Sequence, residues 1–136
     1  MIRIVLDINC LLMTLPSKSP YHRIWTDILD GTIELCVSSE ILNEYEEILA
    51  SHSSALLAHS VVQALLNRAN VIKVVPTYFF NLIESDPDDN KFVDCAICGS
   101  AELIVTNDAH FNVLKRINFP VVDVKSIKEF IIELEG

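Results

Sequence analysis

Five short apolar runs, each rich in Val, Ile or Leu and spaced by helix-length stretches, most constrain what this chain can become. They are Ile2–Leu6, Glu34–Val37, Val71–Val75, Leu103–Val105 and Val121–Val124. Most read as continuous apolar sequence rather than apolar–polar alternation. That is the pattern of strands covered on both faces, as in a parallel sheet. The intervals predict helices over Tyr21–Leu29 (after the breaker pair Ser19 and Pro20), Ser39–Ala50, Ser54–Ala69, Asn90–Ser100, Ala109–Arg116 and Ser126–Leu134. Strands alternating with helices predict an α/β domain around a central parallel sheet. The 136 residues suffice for one such domain, residues 1–136, and leave no room for a second.

Composition narrows the function. Ten Lys and Arg against nineteen Asp and Glu give a net charge of −9. That balance excludes broad electrostatic attraction to nucleic acid or an anionic membrane. A nucleic-acid role therefore needs a local device. No apolar stretch is long enough to span a bilayer, and the N-terminal residues lack the features of a signal peptide. The expected location is the cytoplasm, where the four cysteines stay reduced.

In open parallel sheets, ligands bind beyond the carboxyl ends of the strands. Asp7 directly follows the first run, and Asp108 follows Leu103–Val105 after Thr106 and Asn107. Either could serve only as a turn former or helix cap. A third acid comes from helical geometry. With Asp89 as origin and ~100° per residue, Phe92, Val93, Ala96 and Ile97 centre near ~10°, in line with Asp89. Asp89 thus starts a helix while aiming at its buried face, unless Asp88 or Asp89 is simply the N-cap. Asp94, at ~140°, is expected to be a solvated surface acid. For a fourth acid, Glu44 and Glu46 border the apolar stripe of the Ser39–Ala50 helix on opposite sides, and periodicity does not choose between them.

Oxygen ligands converging on one sheet edge suit Mg²⁺ or Mn²⁺. Metal-assisted phosphodiester hydrolysis is the fitting chemistry, with one ion acidifying a water and one stabilising the leaving oxygen. Bound metal would also bridge phosphate to an acidic surface.

Four motifs in order now stand out: Val5, Leu6, Asp7, Ile8, Asn9; then Val37, Ser38, Ser39, Glu40 through Glu44; then Asp86, Pro87, Asp88, Asp89, Asn90, Lys91, Phe92; then Ile104, Val105, Thr106, Asn107, Asp108. Together they resemble the PIN domain, and more closely the stand-alone, VapC-like toxin components of toxin–antitoxin modules. The resemblance covers essentially the whole chain. It implies a three-layer α/β/α sandwich with a five-stranded parallel sheet and a Mg²⁺- or Mn²⁺-dependent endoribonuclease cutting single-stranded RNA. It also implies a small antitoxin partner that enters the acidic groove, and a possible homodimer. By motif position, the site acids correspond to Asp7, Glu44, Asp89 and Asp108; the resemblance selects Glu44. Asn9 resembles the residue supporting the first acid, and Thr106 the hydroxyl residue before the last. Ile8 departs from the usual Thr, and Asn107 stands where Gly or Arg is common, which would alter the approach of substrate.

Basic residues near the site are few: Lys18, Arg23, Lys91 and Lys115. That sparseness favours an alternative, a non-catalytic PIN-like module binding a partner protein or RNA. An aspartyl-phosphate phosphatase fits poorly, because Asp7, Ile8, Asn9 lacks the second acid of an Asp-x-Asp motif. Cys95 and Cys98 form a CxxC inside a helix, facing outward on the wheel, without further ligands at zinc spacing. His52 and His59 read as surface residues; His22 and His110 lie nearer the acidic edge, where His110 could touch a substrate phosphate but reads first as a surface residue. Tyr78, Phe79 and Phe80 suggest a core plug or an interface patch. The Ser54–Ala69 helix, with Leu56, Leu57, Val61, Leu65 and Leu66, could pack either a dimer or the core.

Overall fold

In β1 (Ile2–Leu6), Ile4, Val5 and Leu6 are all completely buried in succession. Successive strand residues point to opposite faces, so both faces of this strand are covered. β2 (Ile33–Val37) and β4 (Leu103–Val105) repeat the pattern. With β3 (Val71–Lys73) and β5 (Asp123–Lys125) they form one sheet in the order β3-β2-β1-β4-β5, every pairing parallel. The computed structural model describes residues 1–117 and 120–136. The helices are α1 (Ile8–Thr14), α2 (His22–Asp30), α3 (Ser39–His52), α4 (Ala55–Leu66), α5 (Asn90–Cys98) and α6 (Ile127–Glu135). The result is the expected three-layer α/β/α architecture with a five-stranded parallel sheet.

Helix starts follow their caps. Asp7, Ser38, Ser54 and Ser126 each accept a backbone N–H with the side chain, which satisfies donors the first turn leaves free. Ser126 and Glu129 form a reciprocal capping box.

Several boundaries differ from the sequence pattern. α1, only seven residues long, carries too little periodicity to show in the sequence. The Val71–Val75 run leaves the ladder after Lys73, although the Val74 N–H still donates to Val37 O at 2.7 Å. The last strand is shifted from Val121–Val124 to Asp123–Lys125, set by the register of Val124 against Ile104. Ala109–Arg116 is a 3-10 helix. On α4, Val61 and Leu65 enter the core while Leu56 and Leu57 stay exposed.

The order of strands fixes where a site can form. The chain builds from β1 outward through β2 to β3, then returns to place β4 on the other side of β1. β1 and β4 therefore flank the point where strand order reverses, the crevice that open α/β sheets use for ligands. α3 is tied to the end of β1 by the buried Tyr45 hydroxyl, which donates to Leu6 O. α5 ends at Gly99, whose carbonyl accepts from Arg3 Nη1 at 2.8 Å.

Gly99 is required by a close approach. A Cβ there would stand 2.7 Å from Val74 Cγ2, 2.9 Å from Cys95 O and 3.1 Å from Cys36 Sγ. We expect Gly99→Ala to destabilise the fold by about 1–3 kcal/mol through overpacking. Urea unfolding checks this, and an unchanged midpoint would contradict the packing described.

Candidate functional site

The site grows from the carboxyl ends of β1 and β4. Asp7 leaves β1 and caps α1, its Oδ1 accepting the Asn9 N–H at 2.8 Å. Its other oxygen, Oδ2, accepts the Thr106 hydroxyl at 2.6 Å, and both residues are buried. Thr106 Oγ1 also accepts the Asp108 N–H at 3.1 Å. One hydroxyl thus fixes the first and last acids to each other across the sheet. Asn9 supports Asp7 through its backbone, with its side chain exposed. Asn107 faces elsewhere: its Oδ1 accepts the Ile127 N–H at 3.1 Å and so holds the start of α6.

Asp89 arrives from a different direction. The Pro76–Asp89 segment is irregular until a 3-10 turn at Pro87–Asp89 leads into α5. Two α5 side chains four residues apart hold it down. Asn90 donates to Ile83 O at 2.9 Å and accepts the Ile83 N–H at 2.8 Å. Asp94 Oδ1 accepts the Phe80 N–H at 3.0 Å. The turn's cap is Asp86, which accepts the Asp88 N–H at 3.3 Å, while the Asp89 side chain makes no cap bond. Asp89 therefore occupies the N-cap position of α5, as the alternative reading allows, but its side chain makes no cap bond and its Oδ2 is turned inward, on the side the wheel predicts.

What it meets there is more acid. Ligand atoms of Asp86, Asp89, Asp108 and His110 all lie within 4.8 Å of one another. His110 Nδ1 stands 3.2 Å from Asp108 Oδ1, 3.4 Å from Asp89 Oδ2 and 3.6 Å from Asp86 Oδ2. Asp89 Oδ2 is shielded from solvent yet has no hydrogen bond. Burial first, then the charges of Asp108 and Asp86, push the Asp89 carboxyl up to about 7. Three crowded carboxylates and an imidazole, with one carboxylate oxygen buried and not hydrogen-bonded, form a donor set able to hold a divalent cation. The residues present fit such an ion.

Of the sequence-derived acids, Asp89 and Asp108 enter this cluster, and Asp7 adjoins it through Thr106. Glu44 lies apart from it, with Oε2 2.6 Å from Lys91 Nζ. Burial alone would lower the Lys91 pKa, but hydrogen bonds to Glu44 and Asp88 hold it above the ordinary value. Asp86 and His110 complete the cluster. Asp86 stands three residues before Asp89, the spacing that puts two side chains on one side of a helical turn, and this signal was available in the sequence. His22 is elsewhere, its Nδ1 2.8 Å from Thr14 O. Arg23 pairs with Asp27 at 3.3 Å, and Lys115 lines a hollow of about 190 Å³ beside Asp108.

Three expectations are corrected. Asp94 is 4% exposed rather than solvated, because the Phe80 segment covers the helix face the wheel shows as outward. Cys95 is buried in the core, its thiol raised to about 12 by desolvation, and Cys98 is half-buried, its Sγ 3.9 Å from Tyr78 O. Tyr78 and Phe79 plug no core, being 62% and 64% exposed.

Comparison with known proteins places this architecture. A family model described as "PIN domain" matches residues 3–110. No curated protein matches the sequence. Similar solved structures include VapBC2 from Rickettsia felis bound to a promoter DNA fragment, at 17% identity and TM-score 0.63, covering 92% of this chain and 98% of that one. DNA-bound VapBC from Salmonella typhimurium gives 16% identity and TM-score 0.60, covering 93% and 99%. VapBC-1 from nontypeable Haemophilus influenzae gives 12% identity and TM-score 0.64, with the same coverage.

The Asp89 environment has a measurable consequence. A carboxyl whose folded pKa is raised favours folding when protonated, so its contribution is full below the unfolded value near about 4 and is lost as pH climbs through about 7. We expect Asp89→Asn to stabilise the metal-free protein by about 1 kcal/mol at pH 8, after allowance for solvent screening. The gain should vanish near pH 4. Thermal melts in EDTA check this, and a difference independent of pH would contradict the assignment.

Proposed function

The chain belongs to the PIN domain family, and from that premise we propose that it is a metal-dependent endoribonuclease acting on single-stranded RNA, the toxin of a toxin–antitoxin module. The observation that carries this reading is the cluster of Asp86, Asp89, Asp108 and His110, in which the buried Asp89 Oδ2 makes no hydrogen bond and is approached by His110 Nδ1 at 3.4 Å. Asp89, Asp108 and Asp86 would hold a Mg²⁺ or Mn²⁺ ion, with Asp7 fixed beside them by Thr106. When bound, such an ion supplies Lewis-acid stabilisation and a water acidified towards neutrality. The protein's own share is positioning. Thr106 locks Asp7 and Asp108 together, and Asn90 and Asp94 hold the segment that delivers Asp86 and Asp89.

The net charge of −9 agrees with a site whose contact with phosphate runs through metal rather than through arginines and lysines. It also supports a small basic antitoxin as the tight partner. The VapBC likenesses support that pairing, and they span nearly the whole of this chain. Among the described residues no helix is long and apolar enough to cross a membrane. The non-catalytic alternative draws on one specific observation: Lys91 and Arg23, two of the few basic residues near the site, are committed to ion pairs.

Cleavage of labelled single-stranded RNA by the purified chain distinguishes the two. We expect cleavage with Mn²⁺, none with EDTA, and a loss of about a hundredfold or more in Asp108→Asn and in Asp7→Asn. Full activity in both variants would overturn the site. A wild-type protein inert towards RNA with Mn²⁺ present would favour the binding module.

A further inference from the structure

Two carboxylates stand next to the acidic cluster without joining it. Glu44 of α3 and Asp88, one residue before Asp89, both contact the Lys91 ammonium, at 2.6 and 2.9 Å. Lys91 Nζ also donates to the Asp88 carbonyl at 3.2 Å and lies 5.3 Å from the centroid of the Phe92 ring. Only 8% of the lysine side chain is exposed, against 76% for Asp88. A lysine is seldom so buried unless its lost water is replaced by paired oxygens. Here three oxygens from two elements replace it. The pair opens onto a hollow of about 460 Å³ lined by Glu40, Glu44, Glu47, Asp88 and Lys91, which is roomy enough for a hydrated ion.

Building on the metal-dependent reading above, we propose that Lys91 is a tethered cation filling the position a second divalent ion would take between Glu44 and Asp88, so that the chain binds a single divalent ion. Two carboxylates facing an open hollow are the kind of donor set on which Mg²⁺ commonly sits, completed by water and phosphate. The lysine holds that place because it is attached to the same helix start as Asp89, which gives it a high effective concentration there. Glu44 is then an anchor for Lys91 rather than a ligand of the ion in the cluster. The acid that the resemblance assigns to this position then serves a cation the chain itself supplies.

The test counts metal. Calorimetry and elemental analysis of the metal-free chain titrated with Mn²⁺ should give one ion per chain. Lys91→Met should take up a second, weaker ion, and adding Glu44→Gln to it should return the count to one. Two ions in the wild type, one in a Lys91→Met protein whose circular dichroism is unchanged, or two in the double variant would each overturn the proposal. Should Lys91→Met fail to fold, Glu44→Gln alone decides. It is expected to keep one ion at essentially unchanged affinity, and a loss of about tenfold or more would make Glu44 a ligand and overturn the assignment. Absence of any Mn²⁺ binding defeats the metal-dependent reading itself, whereas two ions in the wild type defeat only the role of Lys91.

Discussion

The Thr106 hydroxyl is the joint on which the site depends. It donates to Asp7 Oδ2 and accepts from the Asp108 backbone, so one oxygen aligns the exits of β1 and β4. This works only because those strands are neighbours, which follows from the β3-β2-β1-β4-β5 order. Parallel pairing then sets both exits at the same edge. The Tyr45 hydroxyl adds α3 to the same edge through Leu6 O, which brings the neighbouring Glu44 within reach of Lys91. Strand order, register and two buried hydroxyls thus convert residues about a hundred positions apart into one constellation.

The same geometry concentrates negative charge. Asp86, Asp89 and Asp108 crowd together, and burial plus mutual repulsion raise the Asp89 carboxyl. Such a cluster opposes folding unless cations offset it. Two different cations divide the task in this account. Lys91 pairs with Glu44 and Asp88 at one end, and a divalent ion would serve the Asp89 end. A net charge of −9 and phosphate chemistry are then compatible, since a bound ion would present positive charge where the chain does not.

The sheet was legible in the sequence because strands buried on both faces leave unbroken Val and Ile runs, and Ile4, Val5 and Leu6 show why. Asp7 and Asp108 were legible because a strand exit in a parallel sheet has a fixed relation to the binding edge. The direction of Asp89 was legible because it stands directly before α5, whose apolar stripe marks the buried side, although Asp89 itself closes a 3-10 turn. The same wheel failed for Asp94 and Cys95. For Asp94 the reason is an irregular segment that folds over the helix through Phe80, which a ranking of faces by hydrophobicity does not contain. α1 was missed because seven residues carry too little periodicity. The pairing of Glu44 with Lys91 joins α3 to α5, a tertiary contact that no local pattern encodes.

The central claim is that the acids at the reversal of strand order hold a divalent cation. Anomalous X-ray scattering from crystals grown with Mn²⁺ tests it most directly. The account predicts an anomalous peak within coordination distance of Asp89 and Asp108, with Asp89 Oδ2 among its ligands. A fully ordered cluster with no peak there, at Mn²⁺ concentrations that support RNA cleavage, would contradict it.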